Sequence, residues 1–429
     1  MRVMIRLGNM TFRAPRRGQI RRFAFLFSAL CLLLPSSPGA VSKVPAAESV
    51  ARDAHLSGDK QRTRFVTVLS RQVKFGVRTL ADPYRVIIDM SDVKLNLPAG
   101  SGKRGVGLVT GFRYGRVEPH GVRIILDVKA PVIVDKAEIR PAADGYSPRL
   151  VVELTRTDRK TFSANQRASA KSRNAAMKNT RIASRPAAKT SKMRNSKRII
   201  VIDPGHGGID PGASSRKGLK EKDMVFAFSK TLRDKLKKTG RYEVFMTRSV
   251  DSYIALRKRV DLGRSKGADL FISVHADSLS GKFASRVSGA TVYTLSEDAS
   301  DEEAKDLAAK ENRSDIIAGI ALPAQSDDVT NILIDLAQRE TNNLSIGFAN
   351  ALLASLSGKT KFSKKSRRYA GFRVLKAPDV PSVLLELGYM SNRDDVKRFK
   401  SQAWRKRVAD AVSGAVDSYF AKRTVRNPY

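Results

Sequence analysis

The sequence predicts a multidomain chain: an N-terminal all-β sandwich, a basic linker, and a C-terminal α/β domain with a mainly parallel or mixed sheet flanked by helices. Three observations carry this. Short β-branched runs separated by turn residues fill 63–155, apolar residues become too sparse for a core over 156–197, and strand-like runs alternate with helical periodicity over 198–424. A length of 429 residues has room for two or three domains.

Residues 1–46 read as a secretory signal peptide. Arg13, Arg16, Arg17, Arg21 and Arg22 precede the apolar run FAFLFSALCLLL at 23–34, and small residues follow. The run is too short to cross a bilayer, which takes about 20 apolar residues, so no transmembrane helix is expected in the mature protein. Cleavage after Ala46 and cleavage near Gly39 both fit, and the arginine pairs leave Sec and twin-arginine export open. Leu30 ahead of Cys31 argues against a lipoprotein anchor. Cys31 is the single cysteine, so cleavage removes both disulfides and thiol catalysis from consideration. The expected location is the periplasm.

Residues 47–62 are polar and read as flexible. Strand-like runs follow at 65–69, 74–77, 85–90, 111–114, 122–128, 132–137 and 150–154, with turns at Asp82-Pro83, 98–102, 119–121 and Asp144-Gly145. No catalytic cluster lies among them, and His120 in its Pro/Gly turn reads as a loop residue. A binding module is the natural role. Residues 156–197 are rich in Lys and Arg with Asp158 as the only acid, the composition of a disordered tether. The net charge is +39 and the pI about 10.6. Much of that excess lies in leader and tether, without interleaved aromatics, so no nucleic-acid partner is expected. A basic tether suits an anionic envelope surface instead.

The α/β pattern opens on RIIVIDPGHGGIDPG at 198–212. A β-branched run stops at Asp203 in a turn of glycines and prolines, and His206 projects from it. Helical periodicity over 221–237 puts Val225, Phe228, Leu232 and Leu236 on one face. A strand at 242–247, a helix at 253–266 and a buried strand at 268–274 ending at His275 come next. Further strands are expected at 290–295 and 381–385, and helices at 329–356 and 402–420.

Four histidines exist, and His206 and His275 both stand where strands run into loops. Glu221 opens a helix, where an acid suits the dipole and can also face His206 across the turn. Two histidines and one carboxylate make a three-ligand Zn2+ set with one position open. Glu386, directly after an apolar strand, is the candidate proton carrier. No HExxH pair is present, which excludes the helix-borne zinc protease site.

IDPGHGG at 202–208, Glu221, SVHAD at 273–277 and LELGYMSN at 385–392 together resemble the motifs of zinc-dependent N-acetylmuramoyl-L-alanine amidases of the cell-separation type. Residues 64–154 are similar, less specifically, to the AMIN domain that targets such amidases to peptidoglycan. The resemblance implies His206, Glu221 and His275 as zinc ligands and Glu386 as catalytic acid/base. It also implies hydrolysis of the amide joining N-acetylmuramic acid to L-alanine, in wall remodelling and daughter-cell separation. The same zinc set could serve a peptidase on stem peptides. A basic envelope- or nucleic-acid-binding protein with a dead metal site is the alternative from another class.

Residues 296–340 carry the opposite sign, with twelve acids from Glu297 to Glu340, and are long for a plain connection. Ala304, Leu307 and Ala308 form a helical stripe, and 322–327 reads as a loop. The resemblance suggests an autoinhibitory insertion moved by an activator protein. Glu311 is the first candidate for a carboxylate that closes the zinc site, and Glu303 the second.

Overall fold

The computed structural model describes residues 48–118, 121–141, 147–178, 197–279, 287–320 and 332–426. The leader, His120 and the 322–327 loop lie outside the described residues.

The N-terminal half is all-β: β1 (Ser49–Gly58), β2 (Arg62–Leu69), β3 (Phe75–Leu80), β4 (Arg85–Met90), β5 (Val93–Leu95), β6 (Val109–Val117), β7 (Gly121–Val128), β8 (Val132–Arg140) and β9 (Arg149–Arg156). They form a five-stranded sheet, β5-β1-β2-β9-β8, and a four-stranded sheet, β3-β4-β7-β6. Phe65 and Leu69 of β2 and Leu150, Val152 and Leu154 of β9 share one core with Val86, Ile88 and Ile124 of the other sheet.

Two expectations change here. β1 runs through the stretch expected to be flexible; its inward positions are Ser49, Ala51 and Ala54, small side chains that hide the strand alternation. Helix α1 (Arg159–Lys178) occupies much of the expected disordered tether. Asp158 caps it, accepting the backbone N–H groups of Lys160 and Thr161. Phe162 anchors its first turns, buried edge-on against Tyr84 at 5.0 Å, and alanines supply propensity. A stretch too polar for a core of its own thus docks on another.

The C-terminal half contains β10 (Arg198–Pro204), α2 (Glu221–Lys238), β11 (Tyr242–Met246), α3 (Leu256–Ser265), β12 (Leu270–His275), β13 (Ala290–Leu295), α4 (Glu302–Glu311), α5 (Ser314–Ile317), α6 (Ile332–Leu356), β14 (Phe362–Ala370), β15 (Ser382–Glu386), α7 (Arg393–Lys400) and α8 (Gln402–Arg426). The sheet order is β11-β10-β12-β15-β13-β14. β11, β10, β12 and β15 are parallel, and β13 runs antiparallel to β15, so the sheet is mixed. Ile200, Ile202 and Ile272 pack under α2, α6 and α8. Ile199, Val201 and Phe271 face α3 and α4. With both faces covered, continuous apolar runs are what the central strands require. β14 escaped the sequence reading because this edge strand reads FSKKSRRYA; basic side chains on an edge deter further pairing and erase the apolar signal.

From β10 the chain moves outward to β11 and then returns to β12 on the other side of β10. That reversal opens a crevice at the carboxyl ends of β10 and β12, the usual ligand position in open α/β sheets.

Candidate metal centre

Parallel strands deliver three of the four sequence-predicted residues to one edge. His206 follows the end of β10, His275 ends β12 and Glu386 ends β15, with His275 and Glu386 in direct register. Glu221, the first residue of α2, comes in from the side. All four are buried.

Glu221 Oε1 lies 3.2 Å from His206 Nε2 and 3.2 Å from His275 Nδ1. The imidazoles stand edge to face with centroids 5.0 Å apart. His206 Nε2 is buried and has no hydrogen-bond partner among the described residues. Donors bonded to zinc at about 2.0–2.1 Å in a tetrahedron are separated by roughly 3.3–3.4 Å. The spacing of these atoms therefore fits a shared metal ion, and the orphaned nitrogen favours it.

Glu311 also faces the two imidazoles. Its Oε2 is 3.4 Å from His206 Nε2 and 3.3 Å from His275 Nδ1. Glu303, the second candidate, is elsewhere: it pairs with Arg368 on β14 at 2.8 Å and accepts from the Tyr389 hydroxyl at 3.4 Å. The cavity bordered by His206, His275 and Glu311 measures about 10 Å³, room for roughly one water. The site is closed.

The α4–α5 segment that brings Glu311 is tied at many points. Asp301 caps α4 through the Ala304 N–H, and Ala304, Leu307 and Ala308 are buried as the helical stripe requires. Lys310 pairs with the Asp277 carboxylate. Asn312 bonds Gly371 and Arg373 through both ends of its amide.

Several contributors gave little sequence signal. Asp210 accepts from His206 Nδ1 at 2.9 Å, which leaves Nε2 free for a metal. Burial would raise the Asp210 carboxyl, but His206 beside it holds it down to about 2. Arg259 is 1% exposed, pairs with Asp203 at 2.9 Å and donates to the carbonyls of Pro204 and His206. Arg248 does the same for Pro204, Gly205 and Lys222. Two buried guanidiniums thus satisfy the carbonyls of a loop in which His206 itself has φ 56°, a costly backbone state that such bonding holds in place. A Cβ on Gly205 would lie 2.4 Å from the His275 ring, so glycine there is what lets loop and imidazole meet. The available signal was an arginine between Leu256 and Val260 on a buried helix face.

Glu386 Oε2 accepts the Asp277 N–H at 3.0 Å, while Oε1 has no partner among the described residues. Burial first, then the negative charges of Glu221, Asp277 and Glu311, push its carboxyl well above the ordinary value. Burial would lower His206, but Glu221, Asp210 and Glu311 together raise it well above its usual range. So many buried carboxyls around two imidazoles make a site short of positive charge.

Fold and site define an α/β enzyme with a histidine–carboxylate cluster suited to a divalent ion. Residues 200–418 match the family described as N-acetylmuramoyl-L-alanine amidase. The N-acetylmuramoyl-L-alanine amidase AmiC of Escherichia coli O6:H1 is 32% identical over 371 residues, spanning 84% of this chain and 87% of that protein. AmiC of Neisseria meningitidis serogroup B is 30% identical over 414 residues, 94% and 97% of the two chains. AmiA of Escherichia coli K12 is 38% identical over 238 residues, 55% and 80%. The chain belongs to the N-acetylmuramoyl-L-alanine amidase family and is an amidase of peptidoglycan.

Proposed function

We propose that this amidase is a zinc enzyme of the periplasm, with His206, Glu221 and His275 as metal ligands, Glu386 as proton carrier, and Glu311 as a ligand that keeps it closed until an activator protein withdraws it. The observation that carries the reading is that Glu221 Oε1 and Glu311 Oε2 each lie 3.2–3.4 Å from both His206 Nε2 and His275 Nδ1. Two imidazoles and carboxylate oxygens suit zinc.

Bound zinc would acidify a water and polarise the lactyl carbonyl of the substrate. Glu386 Oε1, the free oxygen, accepts the proton of the attacking water. It returns that proton to the amine of L-alanine as the C–N bond breaks, leaving a lactyl carboxylate. Proton transfer by a placed carboxyl contributes typically about 10²–10⁴-fold. Asp210 holds the His206 tautomer, and Asp277 and Arg368 hold α4 through Lys310 and Glu303.

The two-sheet β domain, AMIN-like in its pattern, would supply attachment to peptidoglycan, and the signal peptide export. Among the described residues no helix is long and apolar enough to cross a membrane. A role in cell separation fits the closed site, since an unrestrained amidase would cut the wall at any time. The test is mass spectrometry of purified peptidoglycan digested by the full chain and by Glu311→Ala, with and without chelator. Peptides with free L-alanine amino ends, lost on chelation, are expected. New ends inside the stem peptide would make it a peptidase, and chelator-resistant cleavage would remove zinc.

A further inference from the structure

We propose that the β domain is the latch of this restraint: the outer face of its four-stranded sheet clamps residues 316–320, and the site opens only when that clamp releases. The proposal rests on the reading of Glu311 as an occluding ligand.

The clamp begins with a breach of strand alternation. On β4 and β7, Val86, Ile88, Ile124 and Leu126 point into the sandwich core. Ile87 and Ile125 point the other way, where a sandwich face normally meets water, yet both are 0% exposed. What covers them is Ala318, with Ile209 and Tyr253, in a separate apolar cluster. Gly319 sits directly on the pair with φ +68°, and a Cβ there would come within 2.7 Å of Ile87 Cδ1.

Arginines surround this contact. Arg78 donates to the Gly319 carbonyl at 2.9 Å, Arg123 to the Ala318 carbonyl at 2.7 Å, and Arg85 to the Ile316 carbonyl. These are the carbonyls where α5 ends, where oxygens run short of helical partners; Ile316 O also accepts the Gly319 N–H at 2.9 Å. Asp89 pairs with both Arg78 and Arg123, and Pro83 O accepts from Arg85 Nε, so the guanidiniums are pre-aimed.

The clamped residues connect stepwise to the metal site. Asp315 accepts from the Tyr253 hydroxyl at 2.7 Å and the Leu256 N–H at 3.0 Å. Tyr253 in turn exchanges backbone bonds with Arg116 and Glu118 at the end of β6. Ser314 donates to Asp210, the partner of His206, and Glu311 lies one turn earlier. Glu311 therefore has two supports, the metal site and the β domain. Each guanidinium–carbonyl bond is strong enough to bias a closed–open equilibrium about tenfold or more.

The test uses full-length, zinc-loaded protein. The double variant Arg85→Ala/Arg123→Ala removes the clamp from the β domain, and Gly319→Leu wedges it from the other side with every β-domain residue intact. Each is expected to raise basal release of dye from labelled peptidoglycan about tenfold and to speed amide hydrogen exchange over 302–320, with zinc content unchanged. If Glu311→Ala activates while both clamp variants stay at the wild-type rate and exchange, the latch is wrong and the occluding ligand stands. If Glu311→Ala fails to activate, the occlusion reading is wrong, and exchange over 302–320 alone judges the clamp. Should the arginine variant lose its cooperative melt, Gly319→Leu decides.

Discussion

Two glutamates face the same pair of imidazoles, and they are held in opposite ways. Glu221 is the first residue of α2 and Glu311 the last of α4. A carboxylate is favoured by the dipole at a helix start and disfavoured at a helix end. Glu221 also accepts the N–H groups of Ala213 at 2.8 Å and Ala276 at 2.9 Å. Burial would raise its carboxyl, but His206 and His275 with their hydrogen bonds hold it well below the ordinary value. Glu311 Oε1, by contrast, has no partner among the described residues, and burial raises its carboxyl. One glutamate is held by backbone donors whether or not a metal is bound. The other has the two imidazoles and the packing of its helix to hold it. The same side chain is firmly or loosely held according to which end of a helix presents it.

The comparison breaks first at Glu221. Glu221→Ala should lose bound zinc, read by metal analysis, and with it activity by about 10³-fold or more, the scale of a lost Lewis acid; a variant that keeps a full zinc complement would take Glu221 out of the ligand set. Glu386→Gln should keep zinc yet slow turnover by about 10²–10⁴-fold, and a normal rate would take Glu386 out of the mechanism. Asp210→Asn, which leaves His206 Nδ1 without its carboxylate, should weaken zinc affinity about 10–100-fold in a chelator competition. Glu311→Ala should retain zinc and raise basal turnover about tenfold, the shift expected from removing an occluding carboxylate. Glu303→Ala sharpens the contrast: its partly exposed pair with Arg368 should be worth only about a few-fold in basal rate. A Glu303 effect larger than that of Glu311 would reverse their assignment.

The four residues that the structure gathers were legible because each stands at a local break. An apolar run that stops at a histidine or a glutamate announces a strand end, as at His206, His275 and Glu386. The stripe of Ala304, Leu307 and Ala308 likewise marks α4 in the sequence alone. Residues whose roles depend on distant partners were silent. Arg259 reads as an ordinary helix cation until Asp203, fifty-six positions away, is placed against it. α1 looked unstructured because its anchor, Phe162, needs Tyr84 from another element.

By itself the sequence determined the strand ends with His206, His275 and Glu386 set on them, and the helix start that carries Glu221, since periodicity and its interruptions are local properties of a chain. Tertiary structure decided which of two glutamates reaches the imidazoles. That choice turns on Arg368, carried by an edge strand whose lysines and arginines conceal it. It also decided that Ile87 and Ile125 cover a neighbour rather than face water, because what lies across a sheet is fixed by packing and is written in no single segment.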